Sequence, residues 1–168
     1  MRYVIITILT GAGAMLAACS AEKSGTVTTP DGETAAYTIN EASGETSMTI
    51  AGENGQTTFR SGANVPVSLP SGLTLFPGSR VVRNTLVDDP EGAGVLINFE
   101  ADAAASRVVA HYRDAAKAAG YAIELEMTTK DTVMIGGERK SDGSTISVTA
   151  TAAEPTSGMI FIGRKPGS

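Results

Sequence analysis

Residues 103–128 read AAASRVVAHYRDAAKAAGYAIELEMT, and the change of period inside this stretch decides the fold. From Ala103 to Ala119 the apolar positions Ala105, Val108, Val109, Tyr112, Ala115, Ala116 and Ala119 recur every three or four residues, which puts them on one face of a helix. Gly120 supplies the residue that commonly follows a helix end, Lys117 suits the negative end of the helix dipole, and Asp102 stands where a cap is wanted. Beyond Gly120 the period becomes two. Tyr121, Ile123, Leu125 and Met127 alternate with Ala122, Glu124, Glu126 and Thr128, the pattern of a half-buried strand with both glutamates on its solvent face.

Outward from this stretch the signals are all of strands. Arg80–Val87 and Gly94–Glu100 flank Asp88-Asp89-Pro90-Glu91-Gly92, whose Pro and Gly suit a hairpin turn. Thr132–Glu138, Ser144–Thr151 and Gly158–Ile162 follow, separated by turns at Gly136-Gly137 or Ser141-Asp142-Gly143 and at Glu154-Pro155. The expected fold class is therefore α+β: a domain over residues 79–164 in the order ββαββββ, with an antiparallel sheet and one helix packed on one face. Residues 165–168 form a tail.

Upstream, Pro66, Pro70 and Pro77 interrupt residues 62–78, which read as a boundary whose Leu69, Leu73, Leu75 and Phe76 lie against the following domain. Residues 28–61 hold a weak repeat: Gly32-Glu33-Thr34, Gly44-Glu45-Thr46 and Gly55-Gln56-Thr57, each followed by alternating apolar positions, Tyr37 and Ile39, then Met48 and Ile50, then Phe59. Glycine turns between threonine-rich alternations describe short antiparallel strands. So few large apolar groups cannot build a core alone, so the segment reads either as a short β-meander or as a disordered spacer.

The N-terminus carries an export signal. Arg2 is followed by an apolar run from Val4 to Leu16, about 13 residues against the roughly 20 that a spanning helix needs. Leu16-Ala17-Ala18-Cys19 resembles the lipobox of bacterial lipoprotein precursors at all four places. The resemblance implies a signal peptide over residues 1–18, cleavage before Cys19, and diacylglyceryl and N-acyl chains, commonly palmitate, on Cys19, with residues 19–27 as a tether. Such a protein is held in the cell envelope by its membrane anchor. Ser20 stands where an aspartate typically retains Gram-negative lipoproteins in the inner membrane, so the periplasmic face of the outer membrane is favoured. Phe76-Pro77-Gly78-Ser79-Arg80-Val81, Ile97-Asn98-Phe99 and the Val108-to-Tyr121 frame are otherwise similar to uncharacterised exported bacterial proteins over residues 65–125.

Composition narrows the partners. Arg2 is the only charged residue before Cys19, so the mature chain of 150 residues keeps 12 basic groups against 18 acidic, a formal −6. That balance opposes a nucleic-acid partner, which needs a basic footprint. Cys19 is the sole cysteine, so the fold stands on its core without a disulfide.

Candidate chemistry is sparse. His111, the single histidine, falls at the edge of the helix's apolar face beside Arg107 and Asp114, the place of a surface side chain. Asp88, Asp89 and Glu91 lack the spacing of a calcium loop and read as a solvated turn. Gly92-Ala93-Gly94 lacks the context of a phosphate loop, and Ser20-Ala21-Glu22-Lys23 matches Ser-x-x-Lys only within the tether. No catalytic, metal or cofactor residue is assigned, and lipid attachment at Cys19 is the one site. The expectation is a non-enzymatic binding or structural module, with an envelope protein partner captured along an exposed strand edge, for which Val148 is a candidate position. The alternatives are a cation-binding protein or a carboxylate-dependent envelope glycan hydrolase. Against the hydrolase stands an aromatic inventory of no Trp, four Tyr and four Phe, thin material for a sugar cleft.

Overall fold

The structure is a computed structural model that describes residues 22–28, 34–52 and 55–165. Residues 1–18, expected as a signal peptide, together with Cys19, Ser20 and the expected Asp31-Gly32-Glu33 turn, lie outside the described residues. Four strands come first: β1 (Glu22–Thr28), β2 (Thr34–Asn40), β3 (Glu45–Gly52) and β4 (Gly55–Gly62). After the proline-rich segment come β5 (Arg80–Asp89), β6 (Gly92–Ala101), helix α1 (Ala105–Ala118), β7 (Ala122–Thr128), β8 (Thr132–Arg139), β9 (Ser144–Thr151) and β10 (Thr156–Arg164). All ten strands join one antiparallel sheet in the order β1-β2-β3-β4-β5-β6-β10-β9-β8-β7.

This corrects the expected class. In place of an α+β ββαββββ domain preceded by a separate meander or spacer, the architecture is predominantly antiparallel β, one continuous sheet with, among the described residues, a single 14-residue helix. The physical reason lies at β5, whose outer edge is paired by β4 from Thr58↔Asp88 to Gly62↔Asn84. Side chains reinforce that seam: the Thr57 hydroxyl donates to the Asp89 carboxylate, and the Ser61 and Thr85 hydroxyls meet at 2.9 Å.

The helix buries Ala105, Val108, Val109, Tyr112 and Ala116 against β7–β10. Its N-cap is Ala104 with no side-chain hydrogen bond, so Asp102 does not cap it. Its C-terminus closes with the Gly120 amide on the Lys117 carbonyl and the Tyr121 amide on the Ala116 carbonyl. Gly120 adopts φ +88°, a left-handed conformation that costs a glycine little. Across from the helix, alternate residues fill the gap: Val95, Ile97 and Phe99 from β6, Ile146 and Val148 from β9, and Ile160 and Ile162 from β10, all buried.

Two strand readings change. Val148 lies on β9 between β8 and β10 and is fully buried, so it is not an edge position; the edge strands are β1 and β7. In β7 the register slips between Ile123 and Leu125, where Gly137 of β8 leaves room against the Ala122 carbonyl that a Cβ would not have. The slip turns Leu125 and Met127 out to solvent on the face away from the helix. It also brings Glu126 round to the helix side, where its carboxylate meets Arg113 Nε at 2.9 Å while the side chain stays exposed.

The segment from 63 to 79 is strapped over the helix-side face beside α1. Buried Asn84 donates from Nδ2 to the Pro66 carbonyl at 2.8 Å at one end, and the Phe76 amide donates to the Tyr112 hydroxyl at 2.8 Å at the other. Leu73 is buried between them, with Leu69, Leu75 and Phe76 half-buried on the same core.

The β8–β9 turn is closed by Arg139 Nη2 on Asp142 at 2.6 Å, with the Ser144 amide and hydroxyl donating to the same carboxylate. These donors, the Arg139 guanidinium first, hold the Asp142 carboxyl well below the usual carboxylate range. A depressed folded value gives stability that is fully present above the ordinary ionisation near about 3.9 and is lost as pH falls through the lowered one. Asp142→Asn is therefore expected to lower the unfolding midpoint at pH 7, and the gap from wild type is expected to narrow between about pH 5 and pH 2. Urea unfolding of both proteins across that range is the measurement, and a gap that does not change with pH would remove Asp142's charge from the turn's stability.

Candidate functional site: a glycine-floored trough on the open sheet face

One face of the sheet holds the helix and the strap; the other is uncovered among the described residues. Alternate residues of β6 and β10 that point away from the helix include Leu96, Met159 and Phe161, and the β7 slip adds Leu125 and Met127. Phe161 is 42% exposed and Leu125 50%, large apolar side chains with no covering layer. The face continues across β2, β3, β4 and β5, where Tyr37, Met48, Phe59 and Val87 follow one another across paired positions.

That row ends in a depression. Val87 is opposite Gly94, Gly94 is opposite Gly163, and Gly163 is opposite Thr145, so two side-chain-free residues sit side by side on neighbouring strands. The result is a trough of about 470 Å³, floored by Gly94 and Gly163 and walled by Val87, Ala93, Thr145 and Phe161. Asp89, Glu91, Arg164 and Lys165 stand at its rim. The Asp89 carboxyl is held below its ordinary value, first by the Thr57 hydroxyl and then by the Glu91 amide at 2.8 Å, so the rim carries both signs of charge at neutral pH. An apolar floor with polar groups at its edge suits a ligand with an apolar body, and the volume lies within the roughly 300–1,000 Å³ of small-molecule sites.

A second concavity lies on the helix side, between the strap residues Ser68, Leu69 and Pro70 and the strand residues Leu86, Val95 and Ile162. At about 260 Å³ it falls below that range. The space between helix and sheet itself is filled: Phe99 and Tyr112 lie with ring centres 5.8 Å apart, and Gly158 makes room for the Phe99 ring.

The residues singled out from sequence do not assemble one site: Asp89 and Glu91 share the trough rim, whereas His111 lines a separate cavity of about 430 Å³ with Asp102 and Arg107. His111 is half-buried and stacks edge-on against Phe76 at 5.5 Å and Tyr112 at 5.0 Å, with Nε2 3.4 Å from the Thr74 carbonyl, so it fastens the strap. Asp88 and Asp89 are successive strand residues and point to opposite faces, Asp88 toward the strap-side cavity and Asp89 toward the trough, so they do not form a carboxylate pair. Among the described residues no group of three His, Cys, Asp or Glu is placed to hold a metal ion, and no described helix is long and apolar enough to cross a membrane. Cys19 lies outside the described residues. Sequence reading missed Gly94, Gly163 and Phe161: Gly94 reads as part of a turn, and only the β6–β10 register brings together the two glycines, 69 residues apart in the chain.

The model of the START domain-like family matches residues 81–158, from β5 through α1 into β10 and short of half the chain. No curated protein and no solved structure matches the chain. The matched part carries the helix, the β6, β8 and β9 share of the core beneath it and the β5, β6 and β9 sides of the trough, with Phe161 and Gly163 outside it, and this region is similar to a START domain-like unit.

Proposed function

We propose that this chain is a lipid-anchored, non-enzymatic binding module of the bacterial cell envelope that takes an apolar ligand into the trough on its open sheet face. START domain-like domains are typically ligand-binding rather than catalytic, which supports a binding role for residues 81–158. The observation that carries the site is the adjacent pair Gly94 and Gly163 beneath exposed Phe161, an apolar hollow on a face that no other part of the described chain covers. The lipobox supports attachment through Cys19, and Ser20 supports the periplasmic face of the outer membrane in a Gram-negative cell.

The test is to fill the hollow. A Cβ at Gly94 would meet the Ile162 carbonyl and the Phe161 ring at 3.7 Å, ordinary contact, so Gly94→Val adds volume without breaking the sheet. Titration with anilinonaphthalene sulfonate is expected to give binding weaker by about tenfold in Gly94→Val, or ~1.4 kcal/mol, at an unchanged unfolding midpoint. Equal binding by the two proteins would exclude the trough as the site.

A further inference from the structure

Strand β1 begins at Glu22, three residues after Cys19. Three extended residues reach at most about 11 Å. The segment read from sequence as a tether is in large part strand: Glu22–Thr28 pairs with β2 at every position from Glu22↔Asn40 to Thr28↔Thr34. The Tyr37 ring lies across Gly25, where an added Cβ would stand 2.7 Å from its hydroxyl, and this covers the outermost strand's one gap in side chains. The first residues of β1 share a corner of the sheet with the Glu41–Gly44 turn, fastened by Lys23 Nζ on Glu41 at 2.6 Å. Arg60 balances the neighbouring Glu45 at 2.6 Å.

Resting on the lipid attachment proposed above, we infer that acylated Cys19 seats this corner of the sheet directly on the bilayer surface, so that the domain is docked at the membrane rather than suspended on a leash. The acyl chains supply the affinity and the short connection supplies the orientation. Along the strands the start of β1 and the trough are offset by three residues, since the trough's row from Gly94 through Val87, Phe59, Met48 and Tyr37 meets β1 at Gly25. Five strand spacings from β1 to β6 add about 24 Å across the sheet. The trough therefore stands clear of the docked corner, across the sheet from it.

Cys19 is the chain's only cysteine and its thiol is consumed by the lipid, so an introduced cysteine can be labelled alone. Ala42 and Ser141 are exposed turn residues at the corner and at the far end, respectively. Full-length Ala42→Cys and Ser141→Cys are made in a bacterial host, labelled with a fluorophore and placed in phosphatidylethanolamine–phosphatidylglycerol vesicles carrying a headgroup nitroxide lipid. Quenching is expected to be several-fold stronger at position 42 than at 141, and an insertion of about twelve Gly and Ser residues between Ala21 and Glu22 is expected to abolish the difference. Equal quenching in protein whose mass includes the acyl chains would overturn corner docking alone. Absence of the acyl mass would overturn the lipid attachment and the docking with it.

Discussion

Tyr112→Ala is expected to cost about 4 kcal/mol, the range for deleting a large buried aromatic side chain, and to release the strap. Tyr112 is 1% exposed, packs its ring on Phe99 and accepts the Phe76 amide on its hydroxyl. Burial pushes its hydroxyl up to about 12, so it stays protonated through the physiological range. Tyr112→Phe separates the two roles. The ring is kept, the Phe76 amide loses its acceptor, and the expected cost falls to about 1–2 kcal/mol. Urea unfolding gives the two energies, and limited proteolysis between Leu73 and Phe76 reports the strap. If Tyr112→Phe unfolds at the wild-type midpoint, the hydroxyl is not what pins it.

Gly158→Ala is expected to destabilise by about 3 kcal/mol, the upper end for overpacking a well-filled core. Gly158 is opposite Phe99 in the β6–β10 ladder, and an added Cβ would lie 2.6 Å from Phe99 Cε1 and closer still to the tip of the ring. The ring cannot swing clear, because Phe99 is 1% exposed and wedged beneath Tyr112. Phe99→Leu should relieve the clash, so the double variant is expected to lose less than the sum of the two single variants. Strict additivity in urea unfolding would contradict the contact.

Much of the local structure after residue 80 is legible in the sequence. The spacing of Val108, Val109, Tyr112 and Ala116 gives the helix, and Gly120 gives its end, because both signals are local. The joining of pieces is not local. Nothing in Thr58–Gly62 by itself says that it pairs with Asn84–Asp88, so the ten-stranded sheet could not be read from strand patterns, and the α+β expectation failed there. The one-residue slip in β7 is equally hidden: the alternation from Tyr121 to Met127 is regular, yet the bulge at Gly137 reverses which side chains meet the helix. The trough escaped for the same reason, being made of absences. Glycines at 94 and 163 signal turns or strand ends until the register sets them side by side.

The anchoring proposed above and the trough would divide the chain's work: the short reach from Cys19 to β1 would orient the sheet at the membrane, and β5, β6, β9 and β10 hold the hollow across the sheet from it. The most direct measurement is amide chemical-shift mapping of the isotopically labelled chain without residues 1–19, titrated with anilinonaphthalene sulfonate. Binding in the trough predicts shifts concentrated at Gly94, Thr145, Phe161 and Gly163, with Leu69, Leu73 and Leu86 on the strap side unmoved. Shifts concentrated at Leu69 and Leu86, or none at saturating ligand, would contradict it.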